Sequence, residues 1–224
     1  MFLFPRRLRD KLWTDALPPS GSFEGQTVLI TGATSGLGLA ASMHFAQLGA
    51  KVIITSRSLS AGGVARERIE QSAGVVGQGK VQIMELDLSR YSSCVSFVGR
   101  LKQSQNGRMG IDVAVLNAGI LNVDYSQSPE GCTTLVGLLL LDWMKHQDRP
   151  KPPHLIFVTS RDHLDPDISA WAGISAQNGS LLQYLSDKQN WRSGTLSPNY
   201  AESKLMLTYA VEKLCEKAVG PDGK

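Results

Sequence analysis

Tyr200 and Lys204 stand four residues apart in Tyr200-Ala201-Glu202-Ser203-Lys204, the spacing that puts two side chains on one face of an α-helix. A free phenol ionises at about pH 10, so alone it exchanges protons slowly at neutral pH. An ammonium group beside it favours the phenolate. Ser197-Pro198 reads as an N-cap and first-turn pair, which places Tyr200 near the positive end of the helix dipole, acting in the same direction. A phenol held in this way can act as general acid or base towards a substrate oxygen, a contribution on the order of 10² to 10⁴ in rate. Tyr/Lys pairs at this spacing also occur on ordinary amphipathic helices, so their meaning depends on what surrounds them.

A second chemical signal is Thr31-Gly32-Ala33-Thr34-Ser35-Gly36-Leu37-Gly38, set between an apolar β-branched run and a helical segment. A pyrophosphate needs close access to backbone N–H groups at a helix N-terminus, and glycines permit that approach. Gly32, Ser35, Gly36, Leu37 and Gly38 are therefore the candidate phosphate-facing residues. A strand before the turn, a helix after it and a βαβ unit of about 30 residues supply the context that the motif requires. The second strand ends in Thr55-Ser56-Arg57-Ser58, where an NAD site would present Asp or Glu to the ribose. Arg57 offers instead a planar cation suited to a 2′-phosphate, so the expected cofactor is NADP(H). A methyltransferase, the other common user of such a turn, would carry an acidic residue after the second strand, and none stands there.

The elements that must position these residues alternate regularly. Thr27–Thr31, Val52–Thr55, Val81–Leu88, Ile111–Leu116 and Leu155–Thr159 read as strands, the first, second and fifth as short apolar, largely β-branched runs. Between them lie helical patterns marked by Ala41, Phe45 and Leu48, by Ala65 and Ile69, by Cys94, Val98 and Leu101, and by Leu135–Met144. This order predicts an α/β fold with a doubly wound parallel sheet. Residues 161–196 show little periodicity and read as a long active-site loop, with a helical turn around Leu181–Leu185. The last helix sets Leu207, Val211 and Leu214 on one face.

Composition excludes several alternatives. With 224 residues, 42% of them hydrophobic, one ordinary core suffices: residues 1–22 read as a leader and 23–224 as one domain. Cys94, Cys132 and Cys215 show no CxxC spacing, which argues against a disulfide framework or zinc site and for a reducing compartment, the cytoplasm. The net charge of +3 owes much to Arg6, Arg7, Arg9 and Lys11, with no basic stripe for nucleic acid. No apolar run approaches the ~20 residues of a membrane span. The basic leader reads as a solvated tail, with contact to a membrane surface as the alternative.

The pattern Thr31-Gly32-x-x-x-Gly36-x-Gly38, Asn117-Ala118-Gly119 and Tyr200-x-x-x-Lys204 resembles the short-chain dehydrogenase/reductase superfamily over about residues 23–217. The resemblance implies a Rossmann-type fold and hydride exchange between a nicotinamide and a small carbonyl or alcohol substrate. It implies that Asp87 contacts the adenine, that Asn117 to Gly119 packs along the cofactor and braces the central strands, and that Lys204 also reaches the ribose. Ser160, in Phe157-Val158-Thr159-Ser160, matches the serine that hydrogen-bonds the substrate carbonyl. The forty residues between Ser160 and Tyr200, and His163, resemble the retinol-dehydrogenase-like branch, which includes many fungal secondary-metabolism enzymes; His163 receives no role.

The family's Val-Asn pair after the fourth strand has no counterpart between Val123 and Gln177, as though about a dozen residues were missing after Thr134. The sixth and seventh family strands are likewise not readable before Lys224, which would leave the fifth strand as an edge open to pairing with a second copy. A non-catalytic nucleotide-binding remnant of such an enzyme therefore stands as the alternative to a working reductase.

Overall fold

A computed structural model describes residues 16–104, 110–119, 125, 136–147, 151–192 and 198–218. The strands are β1 (Thr27–Ile30), β2 (Lys51–Ser56), β3 (Val81–Glu85), β4 (Val113–Leu116) and β5 (His154–Phe157). They form one parallel sheet in the order β3-β2-β1-β4-β5, the doubly wound, Rossmann-type arrangement expected from the alternation. The connecting helices are α1 (Gly36–Gln47), α2 (Leu59–Ala73), α3 (Tyr91–Ser104) and α4 (Val136–Lys145).

The period-2 alternation of strand side chains divides the core into two layers. Val28, Ile30, Val52 and Ile54 point to the face covered by α1 and α2, with Leu39, Ala46, Ala65 and Ile69 packed on them. Leu29, Ile53 and Ala114 point to the other face, against Phe97 and Leu101 of α3 and Leu140 and Met144 of α4. Burial on both faces is why the central strands are apolar without a break.

α1 meets the sheet on a partly different stripe from the expected one. Gly38, Leu39, Ser42 and Ala46 are buried; of the expected stripe Leu48 is buried too, whereas Ala41 and Phe45 pack at the margin of the core. Small residues here let the helix close on the strands, with Ser42 Oγ donating to the Gly38 carbonyl at 2.7 Å.

Of the segment 161–196, expected as a loop with a helical turn around Leu181–Leu185, residues 161–192 are described and are largely structured. It holds a 3₁₀ turn (Arg161–Leu164), α5 (Trp171–Asn178), α6 (Leu181–Ser186) and a second 3₁₀ turn (Lys188–Asn190). Gly179, at φ 71°, ends α5, and Ser180 accepts from Gln183 N–H to start α6.

The final helix, α7 (Pro198–Ala218), packs against the first 3₁₀ turn and α4. Of its expected apolar face only Leu214 is buried, together with Leu205. Leu207 and Val211 are half-buried and line, with Phe157 and Thr159 at the β5 end, a groove of about 310 Å³.

Candidate functional site

The glycine turn and the end of β4 are built as one unit. Asn117 Nδ2 donates to the carbonyls of Thr31 (3.2 Å) and Gly32 (3.4 Å), and Ala118 N–H donates to Thr31 Oγ1 at 3.0 Å. The segment expected to brace the central strands does so through these three bonds, across 85 residues of sequence or more.

The three glycines serve different needs. Gly32 has φ +68°, and a Cβ there would lie 2.8 Å from Ala118 Cα; a Cβ on Gly38 would collide with the Gly32 carbonyl and stand 2.5 Å from Asn117 Nδ2. These two glycines let the turn press against β4. Gly36, at φ +53°, faces open space and is the one whose lack of a side chain leaves room for a ligand. Its neighbour Ser35 makes no side-chain cap on α1, so the first-turn N–H groups remain available to an anion. Leu37, 76% exposed, sits on the rim.

Gly38→Ala is expected to lower stability by about 1–3 kcal/mol through overpacking. Gly63→Ala, in α2 where nothing lies within 4 Å, is expected to be neutral or stabilising by roughly 0.5–1 kcal/mol. Thermal unfolding of both variants checks the contrast; equal midpoints would show that the turn yields freely.

At the other end of the sheet edge, Arg57 is exposed just beyond β2. Asp87 follows β3 with its Oδ1 accepting from Ser89 Oγ (2.7 Å) and Ser89 N–H (3.0 Å), and Arg90 Nε lies 3.5 Å from Oδ2. These Ser89 hydrogen bonds, first the hydroxyl and then the N–H, hold the carboxyl below its usual range, aided by Arg90 and Arg57. Arg90 is a cation at this corner that the motif reading passed over; only the fold shows it turning back on Asp87.

A carboxyl with a lowered folded-state value contributes stability above the ordinary carboxylate range and loses it as pH falls through the lowered value. The gap in thermal midpoint between the parent and Asp87→Asn is therefore expected to be full at pH 7 and to shrink below about pH 4. A gap independent of pH from 3 to 7 would contradict this account.

α7 brings Tyr200 and Lys204 to the same edge. Lys204 Nζ lies 5.3 Å from the centroid of the Tyr200 ring, and a Cβ on Gly119 would stand 3.3 Å from that nitrogen. The ammonium thus sits beside the phenol ring and the end of β4. Ser160 opens the 3₁₀ turn that packs on α7. Its Oγ accepts from Asp162 N–H at 3.3 Å, leaving the hydroxyl proton free to donate elsewhere. His163 Nδ1 lies 2.6 Å from the Ser160 carbonyl oxygen, so its ring steadies this turn.

The junction around Thr134, where about a dozen residues are expected to be missing, lies outside the described residues, as does Cys132. Among the described residues no cluster of His, Cys, Asp or Glu could hold a metal, and no helix is long and apolar enough to cross a membrane.

The chain is similar to several known proteins. A family model described as short chain dehydrogenase matches residues 26–132. The chain is 32% identical over 227 residues to the short-chain dehydrogenase/reductase phmF of Phaeosphaeria nodorum, covering 95% of this chain and 64% of that one. It is 30% identical over 218 residues to the short-chain dehydrogenase anuD of Penicillium roqueforti, covering 92% of this chain and 54% of that one. The chain thus spans between half and two thirds of the length of these relatives. Among solved structures, a short chain dehydrogenase from Shigella flexneri 2a complexed with NADP superposes with a TM-score of 0.60 at 19% identity, covering 89% of this chain and 74% of that one. The Escherichia coli oxidoreductase yciK gives a TM-score of 0.62 at 18% identity, with 91% and 75% covered; both share the fold. Matched by the family model from residue 26 to 132 and aligned to fungal members along more than nine-tenths of its length, the chain belongs to the short-chain dehydrogenase/reductase superfamily of oxidoreductases.

Proposed function

We propose that this chain is an NADP-dependent oxidoreductase that reduces a ketone or aldehyde, or oxidises a secondary alcohol, on a small organic molecule. The fungal relatives favour a secondary metabolite as that molecule. The observation that carries the reading is the position of Lys204 Nζ, beside both the Tyr200 ring and Gly119, which sets this pair at the end of β4, the segment that Asn117 ties to the glycine turn.

The residues present fit a dinucleotide phosphate. Gly36 leaves an open cradle at the start of α1, where first-turn N–H groups would hold the pyrophosphate. Ser35 and Leu37 flank it, while Gly32 and Gly38 keep the turn closed on β4. Arg57, exposed beyond β2, would pair with the 2′-phosphate, and Asp87 would border the adenine. The chemistry that bound NADPH supplies is hydride donation to a carbonyl carbon.

The chain's own residues handle the oxygen. Ser160 would donate its hydroxyl proton in a hydrogen bond to the carbonyl and orient it. Tyr200 would give its phenolic proton to the same oxygen as negative charge develops there. Lys204 would stabilise the phenolate that results and hold the ribose hydroxyls from the same position; Asn117 maintains the turn beneath. In the oxidative direction the same groups remove the proton. Cys94 and Cys215, present as thiols, accord with a reducing compartment, and we place the protein in the cytoplasm.

Thermal shift with NADPH and NADH, run beside NADPH consumption with aromatic and terpenoid ketones, tests the reading. Stabilisation by NADPH together with turnover supports it. Stabilisation without turnover would favour a nucleotide-binding role alone, and absence of both would overturn it.

A further inference from the structure

We infer that Arg192 and Glu202 form a positioning clamp on the back of α7 that sets the rotation of the helix and so the aim of Tyr200; this rests on the acid–base reading of Tyr200 above. Glu202 is 8% exposed, the one charged residue buried among the described residues. A carboxylate so placed requires a partner, and removing that partner is costly. The partner is the Arg192 guanidinium, whose Nη2 donates to Glu202 Oε1.

A second pair of contacts ties the backbone of the same arginine to the first turn of α7. Asn199 Nδ2 donates to the Arg192 carbonyl at 2.7 Å, and Arg192 N–H donates to Asn199 Oδ1 at 3.4 Å. Two side chains of the helix start, Asn199 and Glu202, thus grip one residue.

Direction gives the clamp its use. Glu202 is two positions from Tyr200 and two from Lys204. At 3.6 residues per turn this places it about 200° round the helix from both. The clamp therefore holds the face opposite the reacting groups and touches neither of them. The anchor behind it is firm: Trp191 meets Tyr125 edge to face, with centroids 5.7 Å apart. Tyr125 Oη donates to the Ser186 carbonyl at 3.1 Å, and Asn190 Nδ2 donates to the Tyr184 carbonyl at 2.8 Å. A helix held from behind against a braced segment cannot roll freely, and a misplacement of about 1 Å at a reacting group can cost roughly 10²-fold in rate.

The test uses the full chain with Arg192→Met, Glu202→Gln, the double variant and Arg192→Lys, each confirmed as folded by its thermal transition. With a ketone that the parent reduces, kcat is expected to fall about tenfold or more in each single variant, while the NADPH dissociation constant stays within about twofold. The double variant is expected to be no slower than the slower single, because both remove one interaction. Arg192→Lys should recover most of the loss. Unchanged kcat in the folded single variants, multiplying losses, or a parallel loss of NADPH affinity would overturn the clamp.

Amide exchange over residues 199–204 is read in the same samples and needs no substrate. Faster exchange in both single variants is expected, and unchanged exchange overturns the inference. Tyr200→Phe is run alongside; full turnover in that variant would refute the acid–base reading rather than the clamp.

Discussion

Tyr200→Phe is expected to bind NADPH as the parent does and to lose turnover by a factor on the order of 10² to 10⁴. The substitution removes one hydroxyl and keeps the ring, so the packing of the half-buried side chain on α7 is preserved. What disappears is the group that can deliver a proton to the substrate oxygen. Lys204→Met provides the contrast. Its Nζ lies against both the Tyr200 ring and Gly119, so its loss should weaken turnover and cofactor affinity together. Steady-state kinetics with a responsive ketone, paired with fluorescence titration of NADPH, separates the two outcomes. A Tyr200→Phe variant that reduced substrate at the parent rate would remove the acid assignment.

Cofactor choice carries the next largest effect. Arg57→Ala is expected to reduce the preference for NADPH over NADH by roughly ten- to a hundredfold, from about 1.5–3 kcal/mol for a hydrogen bond to a charged group. The structure narrows the reason. Arg57 is exposed beyond β2 and acts on Asp87 through space, and Arg90 lies against the same carboxylate. The 2′-phosphate would thus meet Arg57 with Arg90 nearby, so Arg57→Ala should retain a residual preference. NADPH and NADH titrations of parent and variant measure it. Equal affinities in the parent would show that the corner does not read the phosphate.

The sheet was legible because its central strands are buried on both faces: Val28 to Ile30 and Val52 to Ile54 must be apolar throughout, and such runs stand out. The Tyr200/Lys204 pair was legible because helical spacing fixes a shared face whatever the surroundings. α5 was not, since Trp171–Asn178 has no buried residue and Gly173 interrupts it. A helix held by its neighbours rather than by an apolar stripe leaves no periodic trace, although Gly179 and Ser180 mark its end and the next beginning. The contact face of α1 was only partly legible for a related reason. Large residues draw the eye, but close packing under the glycine turn is made by Gly38, Ser42 and Ala46. Arg90 and Arg192 needed the fold itself, because neither occupies a motif position and their carboxylate partners are set by turn geometry and by docking of a segment onto α7.

The central claim is that one cleft at the carboxyl edge of the sheet holds a dinucleotide phosphate against both the glycine turn and the Tyr200/Lys204 face. A crystal structure of the chain with NADPH tests it most directly. The pyrophosphate is expected on the N–H groups around Ser35, Gly36 and Leu37, the 2′-phosphate beside Arg57, and the nicotinamide ribose within hydrogen-bond reach of Lys204 Nζ. A nucleotide bound elsewhere, or one whose nicotinamide end lies away from Tyr200 and Lys204, would contradict the account.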